Sequence, residues 1–249
     1  MIGGVLLKKL VVLMTLIFLT GCGPEHPIAA ETQLKIQQAV DEVLKRNMSE
    51  DFQIDYMRAD EDVHPMIGKR SQTEPNIIHV YVSPKRKKTI KSHLIVASTN
   101  DVFSISALDL SLYQLWVDVF ESDAKDDYER KIKMYLPNSF INLSISDDSK
   151  SYRTDVSGKF TLYSDFIKDN HSRFYPNITI FCDIKPNSLK TSIQNFYNAL
   201  KYLESIDYSW GGMRINFYEK GKSIPETITI SSDDYHGIMS PTDLEKFIK

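Results

Sequence analysis

The chain has 249 residues, 42% of them hydrophobic, and a formal net charge of −3. That length buries a substantial core in one large domain or two small ones, and the mildly acidic balance argues against general nucleic-acid binding, which depends on a basic face. Cys22 and Cys182, the two cysteines, are too few for a disulfide framework, so the fold must rest on its core.

The N-terminus carries one basic pair, Lys8-Lys9, followed by an apolar run from Leu10 to Leu19 broken only by Thr15. Such a run is too short for the hydrocarbon core of a bilayer, which needs about 20 residues. A basic patch, a short apolar stretch and small residues together mark a cleaved export signal. The run closes on Leu19-Thr20-Gly21-Cys22, which resembles the bacterial lipobox in residue types, order and position. The resemblance is confined to the first 22 residues. It implies that residues 1–21 are a signal peptide, that the Cys22 thiol carries diacylglycerol, and that a dedicated peptidase cuts before it. In many such lipoproteins the new amine is acylated too, with chains of the palmitate kind. One acyl chain holds a protein only marginally, at about 0.8 kcal/mol per buried methylene, so the two of diacylglycerol are what give lasting attachment. The implied location is a cell membrane, on its extracytoplasmic side. Gly23 stands where an Asp favours inner-membrane retention in Gram-negative relatives, and 22 lysines against eight arginines lean towards an AT-rich, Gram-positive source. Without residues 1–21 the chain has 228 residues and a charge of about −5.

Gly23 to Glu31, with Pro24 and Pro27, reads as a tether. Thr32 to Met48 has Ile36, Val40, Val43 and Leu44 on one helical face. Phe52 to Arg58 alternates as a strand, placing Phe52, Ile54 and Tyr56 on one side. A polar loop, Ala59 to Pro75, leads to a strand over Ile77 to Ser83, a basic turn over Lys85 to Lys91 and a strand over His93 to Ser98. Ser106 to Glu121 is a helix by the spacing of Leu108, Leu112, Leu115, Trp116, Val119 and Phe120. Tyr128 to Leu136 fits either period. Strands follow over Phe140 to Ser146 and Lys159 to Ser164, with a turn at Asp147 to Ser151.

The last third reads β-α-β-β-α. Ile178, Ile180, Cys182 and Ile184 share one face of a strand, which makes Cys182 a core residue rather than a reactive thiol. Pro186-Asn187-Ser188 caps a helix whose buried stripe is Leu189, Ile193, Phe196, Tyr197, Leu200 and Leu203. Met213 to Glu219 and Thr227 to Ser231 are strands, and Ser240 caps a short helix from Pro241 to Phe247. The early helix and two strands repeat this order, but the residues do not match well enough to establish a repeat.

Common catalytic and cofactor motifs are missing from the sequence. There is no phosphate loop, dinucleotide fingerprint or Gly-x-Ser-x-Gly elbow, and His26, His64, His79, His93, His171 and His236 never fall at metal-helix spacing. Three features remain. Lys85, Arg86, Lys87 and Lys88, with Lys91, Lys69 and Arg70 as candidate neighbours, form a basic turn that could meet anionic lipid or an anionic polymer, or could be a solvated turn. Tyr208 and Trp210, beside Gly211-Gly212, could stack on a sugar or anchor a partner, or could close the core at a helix end. The acids Asp60-Glu61-Asp62, Asp123 to Glu129, Asp147-Asp148 and Asp233-Asp234 follow no calcium-loop pattern and read as solvated loops; Asp233-Asp234-Tyr235-His236 is the one group with a hydrolytic or metal alternative.

The expected fold is α+β, a largely antiparallel sheet with helices packed on one face, divided into subdomains at 32–136 and 137–249 after the tether at 22–31. The expected function is a membrane-anchored lipoprotein acting as a non-catalytic binding or interaction module of the cell envelope. Its partners would be the membrane through Cys22, and an envelope protein or anionic polymer; no nucleic acid, cofactor or metal is expected. The alternative is an envelope hydrolase whose site assembles from residues distant in sequence.

Overall fold

The computed structural model describes residue 28 and residues 30–59, 76–99, 102–104, 108–145, 159–170 and 174–249. Residues 1–27, which include the lipobox-like Leu19-Thr20-Gly21-Cys22, as well as Lys69, Arg70, Asp60 to Asp62, Asp147-Asp148, most of the Ala59 to Pro75 loop and the Asp147 to Ser151 turn lie outside them. The fold is α+β, with two four-stranded sheets. Helix α1 (Ala30–Asn47) is followed by β1 (Phe52–Ala59), β2 (Asn76–Pro84), β3 (Ser92–Thr99) and β4 (Val102–Ser104), hydrogen-bonded in that order as an antiparallel meander. Long helix α2 (Leu108–Ile132) leads to β5 (Ser139–Ser144), helix α3 (Tyr163–Asn170), β6 (Asn177–Ile184), α4 (Leu189–Ser205), β7 (Gly212–Glu219) and β8 (Glu226–Ser231). The short helices α5 (Ser232–Tyr235) and α6 (Pro241–Leu244) end the chain with a 3₁₀ turn over Glu245–Phe247.

The second sheet runs β5-β6-β7-β8 and is antiparallel except for β6 and β7, which are parallel across the α4 crossover. The two sheets therefore differ in topology and do not repeat one unit. Helices cover one face of each sheet, as alternation predicts; on β5 every second residue, Ser139, Ile141 and Leu143, is buried. One hydrophobic core joins both sheets, and α2 lies against β3 and β5 together.

Three readings of the sequence change. First, α2 continues to Ile132, absorbing Tyr128 and Ile132 from the ambiguous segment. Its buried stripe of Trp116, Phe120, Ala124, Tyr128 and Ile132 keeps helical spacing throughout, and so the acids Asp123 to Glu129 lie on a helix rather than in a loop. Second, Lys159 to Ser164 is no strand. Phe160 makes a single parallel bridge to Met48, with its N–H donating to the Asn47 carbonyl at 2.8 Å, and α3 then starts at Tyr163. The two-residue alternation there was too short to outweigh the Tyr163, Phe166, Ile167 helical spacing. Third, a bulge between Ile54 and Tyr56 turns Tyr56 outward, where it is 55% exposed and stacks on Tyr81.

Caps match in part. The Ser240 N–H and hydroxyl both donate to the Asp243 carboxylate, whereas the Ser188 hydroxyl donates back to the Lys185 carbonyl at 2.6 Å and leaves α4 without a side-chain cap. Cys182 is 4% exposed, with Ile178, Ile180 and Ile184 buried on the same face. Burial, helped by Asp183, pushes its thiol up to about 11. A thiol reagent at pH 8 is therefore expected to label the native protein at least ~10-fold more slowly than the urea-unfolded chain; equal rates would place Cys182 outside the core.

Candidate functional site

The basic turn and the acidic stretch of α2, read separately in the sequence, meet in space. Arg86 bridges Glu50 and Asp123, its Nη1 donating to Asp123 Oδ1 at 2.8 Å. Lys87 pairs with Asp126 and also donates to the Ser122 carbonyl at 3.1 Å. Lys85 lies 3.7 Å from Asp51, and Lys91 bonds Asp55 at 2.6 Å. Burial raises the Glu50 carboxyl and outweighs the lowering by Arg86, while Arg86 itself is held above its ordinary value, above all by its bond to Asp123. The turn is thus no free cationic patch. Its charge is largely spent on fastening the β2–β3 turn to α2, and Lys88 stays exposed.

One helical turn further on, Asp127 collects four donors. The Tyr163 hydroxyl donates to Oδ2 at 2.9 Å and the Tyr208 hydroxyl at 2.8 Å, while Arg130 and Lys131 pair with Oδ1. Burial alone would raise this carboxyl, but Lys131, Tyr208 and Arg130 together hold it below its ordinary value. Glu50, Arg86, Asp123, Asp127, Tyr163 and Tyr208 line a groove of about 690 Å³. These ion pairs and hydrogen bonds tie the α1–β1 turn, the β2–β3 turn, α2, the start of α3 and the segment after α4 together.

Tyr208 also borders a smaller pocket on its other side, of about 290 Å³, lined by Tyr175, Glu204, Asp207, Trp210, Tyr235 and His236 among others. The loop from Ser209 to Gly212 is pinned from several directions. The Tyr128 hydroxyl donates to the Ser209 carbonyl at 2.7 Å, Gly211 N–H to the Pro176 carbonyl at 3.0 Å, and Ser232 N–H to the Gly211 carbonyl at 3.1 Å. A Cβ on Gly211 would stand 3.2 Å from the Tyr175 carbonyl oxygen, so glycine allows this close approach. Trp210 is 5% exposed, which favours the reading of a ring that closes the core at a helix end over that of an exposed anchor; it packs edge-on against Tyr235 with centroids 5.4 Å apart. It forms a wall rather than a protruding anchor.

Asp233-Asp234-Tyr235-His236 resolves into separate tasks. Asp234 takes the Ser231 N–H and hydroxyl and so caps α5, Tyr235 is buried, and His236 faces the pocket. Among the described residues no three His, Cys, Asp or Glu side chains stand where they could hold a metal ion. His79 and His93, unrelated in the sequence, lie side by side on the first sheet's open face with rings 5.5 Å apart. Tyr175, Glu204 and Asp207 escaped the sequence reading. Glu204 and Asp207 stand at the end of α4, a few residues before Trp210, but Tyr175 precedes β6, and only folding brings it to them.

No family model and no curated protein matches the chain. Among solved structures, a DUF5037 family protein from Ruminococcus gnavus is 12% identical over 74% of each chain, with a TM-score of 0.34. Similarity at that level carries no inference about this chain.

Proposed function

We propose that this chain is a lipoprotein of the bacterial cell envelope, attached to the membrane through Cys22, whose folded body binds a ligand or partner without catalysing a reaction on it. The observation that carries the anchoring is Leu19-Thr20-Gly21-Cys22 directly after the apolar run. No helix among the described residues is long and apolar enough to cross a membrane, so the lipid would be the attachment for that part of the chain. Helix α1 begins at Ala30, which leaves residues 23–29 between lipid and body. Extended at about 3.3–3.6 Å per residue, that tether keeps α1 within roughly 25 Å of the acylated cysteine.

Two features of the body favour binding over chemistry. The acids and bases of the larger groove are consumed by one another, and the smaller pocket is walled by aromatic rings, which supply contact area and orientation. The test of the anchor is Cys22→Ala. Cells fed a clickable fatty acid should label the parent protein and leave the variant unlabelled, as an uncut precursor. Equal label on both would overturn the reading.

A further inference from the structure

We infer that the pocket between Tyr175, Trp210 and Tyr235 binds an organic ammonium group, with Glu204 and Asp207 supplying the counter-charge. The inference rests on the binding-module reading above and names the ligand chemistry.

The first observation is the wall. Tyr175 precedes β6, Tyr208 and Trp210 precede β7, and Tyr235 belongs to α5, so four rings from three parts of the chain surround one space. Aromatic faces carry negative potential and attract cations that lie over them, ammonium groups above all. The second observation is charge. The lining holds two carboxylates, Glu204 and Asp207, and contains neither lysine nor arginine.

The third is the helix. Glu204 is in the last turn of α4 and Asp207 lies two residues past its end, at the negative pole of its dipole. Carboxylates are disfavoured at that pole, and the last turn has no basic residue. Asp207 moreover has φ of 60°, at a place after a helix end where glycine is the usual residue. Two carboxylates and a helix C-terminus thus face one small space, and their negative potential favours a cation bound there.

The corner already holds ammonium groups of its own. Lys201 Nζ bonds the Glu204 carboxylate at 3.0 Å and lies 5.0 Å from the Tyr235 ring centroid. Lys131 Nζ lies 4.3 Å from the Tyr208 centroid. Neither lysine lines the pocket, so both show the chemistry without filling the space. At about 290 Å³, the volume fits a small ammonium headgroup and is at the low end for whole ligands.

The test uses the full-length protein in maltoside micelles, labelled with 5-fluorotryptophan. Its two tryptophans, Trp116 in the core and Trp210 in the pocket, give two fluorine signals. Tetramethylammonium and choline should shift the Trp210 signal in a saturable way and leave that of Trp116 in place. The uncharged carbon isostere of choline, 3,3-dimethylbutan-1-ol, should bind at least ~10-fold more weakly. Asp207→Asn keeps a side chain that tolerates positive φ, and it should weaken choline binding by roughly 3-fold or more; Tyr175→Ala, at an exposed ring that does not support the core, should do the same. Vesicles with and without choline headgroups separate a lipid source from a free solute, and binding to either sustains the ammonium assignment. Equal affinity for choline and its isostere would overturn it and leave an apolar pocket. Absence of any saturable Trp210 shift would overturn it as well, while the anchoring result with Cys22→Ala stands or falls separately.

Discussion

Phe174→Ala should destabilise the protein by about 4 kcal/mol, a large fraction of the stability of a domain this size. Phe174 is fully buried and forms the hub of an aromatic cluster drawn from three elements. Its ring centroid lies 5.6 Å from Phe120 and 6.1 Å from Tyr128 on α2, and 5.7 Å from Tyr163 and 6.2 Å from Phe166 on α3. Removing the ring forfeits its transfer free energy and leaves a cavity bounded by rigid aromatic side chains, which cannot collapse to fill it. Phe174→Leu keeps most of the volume and should cost about 1–2 kcal/mol. Urea unfolding measures both; a loss below about 1 kcal/mol for the alanine variant would show that Phe174 is not central to the core. The ammonium pocket should suffer as well, because Tyr128 packs in this cluster and its hydroxyl fixes the Ser209 carbonyl.

The second large effect is expected at Asp127. Asp127→Ala strands two tyrosine hydroxyls, Arg130 and Lys131 without their common acceptor, and should cost about 3 kcal/mol at pH 7. The pH dependence follows from the direction of its shift. A carboxyl held below its ordinary value in the folded state adds stability above its unfolded value and loses it as pH falls through the folded one. The gap between parent and Asp127→Ala should therefore be full at pH 7 and shrink under acid conditions below the ordinary carboxylate range. A gap that stays constant from pH 7 to pH 3 would mean that the ionised carboxylate contributes nothing. Tyr208→Phe removes a single donor and should cost about 1 kcal/mol, with the ring still in place to border the pocket.

The elements were legible where periodicity ran long enough. The α1 stripe of Ile36, Val40 and Leu44, the alternation that buries Cys182, and the β-α-β-β-α order of the last third all follow from residue spacing, because burying one face of a helix or strand imposes its period on the sequence. Failures occurred where the signal was short or ambiguous. Lys159 to Ser164 offered one turn of alternation, and the tail of α2 fitted two periods until Tyr128 was seen to pack on Phe174. The Tyr56 reading failed for a different reason: a bulge inverts every residue after it, and no residue type announces it.

By itself the sequence determined the mildly acidic charge, the core-based rather than disulfide-based stability, and the order Leu19-Thr20-Gly21-Cys22 whose resemblance to a lipobox carries the anchoring proposal; each is a property of composition or of adjacent residues. Which charges remain free was decided by the tertiary structure. Lys85 to Lys88 and Asp123 to Glu129 each look like solvated runs, yet Arg86 and Lys87 close on Glu50, Asp123 and Asp126 once β2, β3 and α2 pack together. The tertiary structure likewise decided between the two readings of Trp210, burying it as a pocket wall, and gathered Tyr175, Glu204, Asp207 and Tyr235 around it. The physical reason is range. Local sequence specifies backbone periodicity within one element, whereas charge pairing and pocket walls depend on side chains that meet only after loops close over tens of residues.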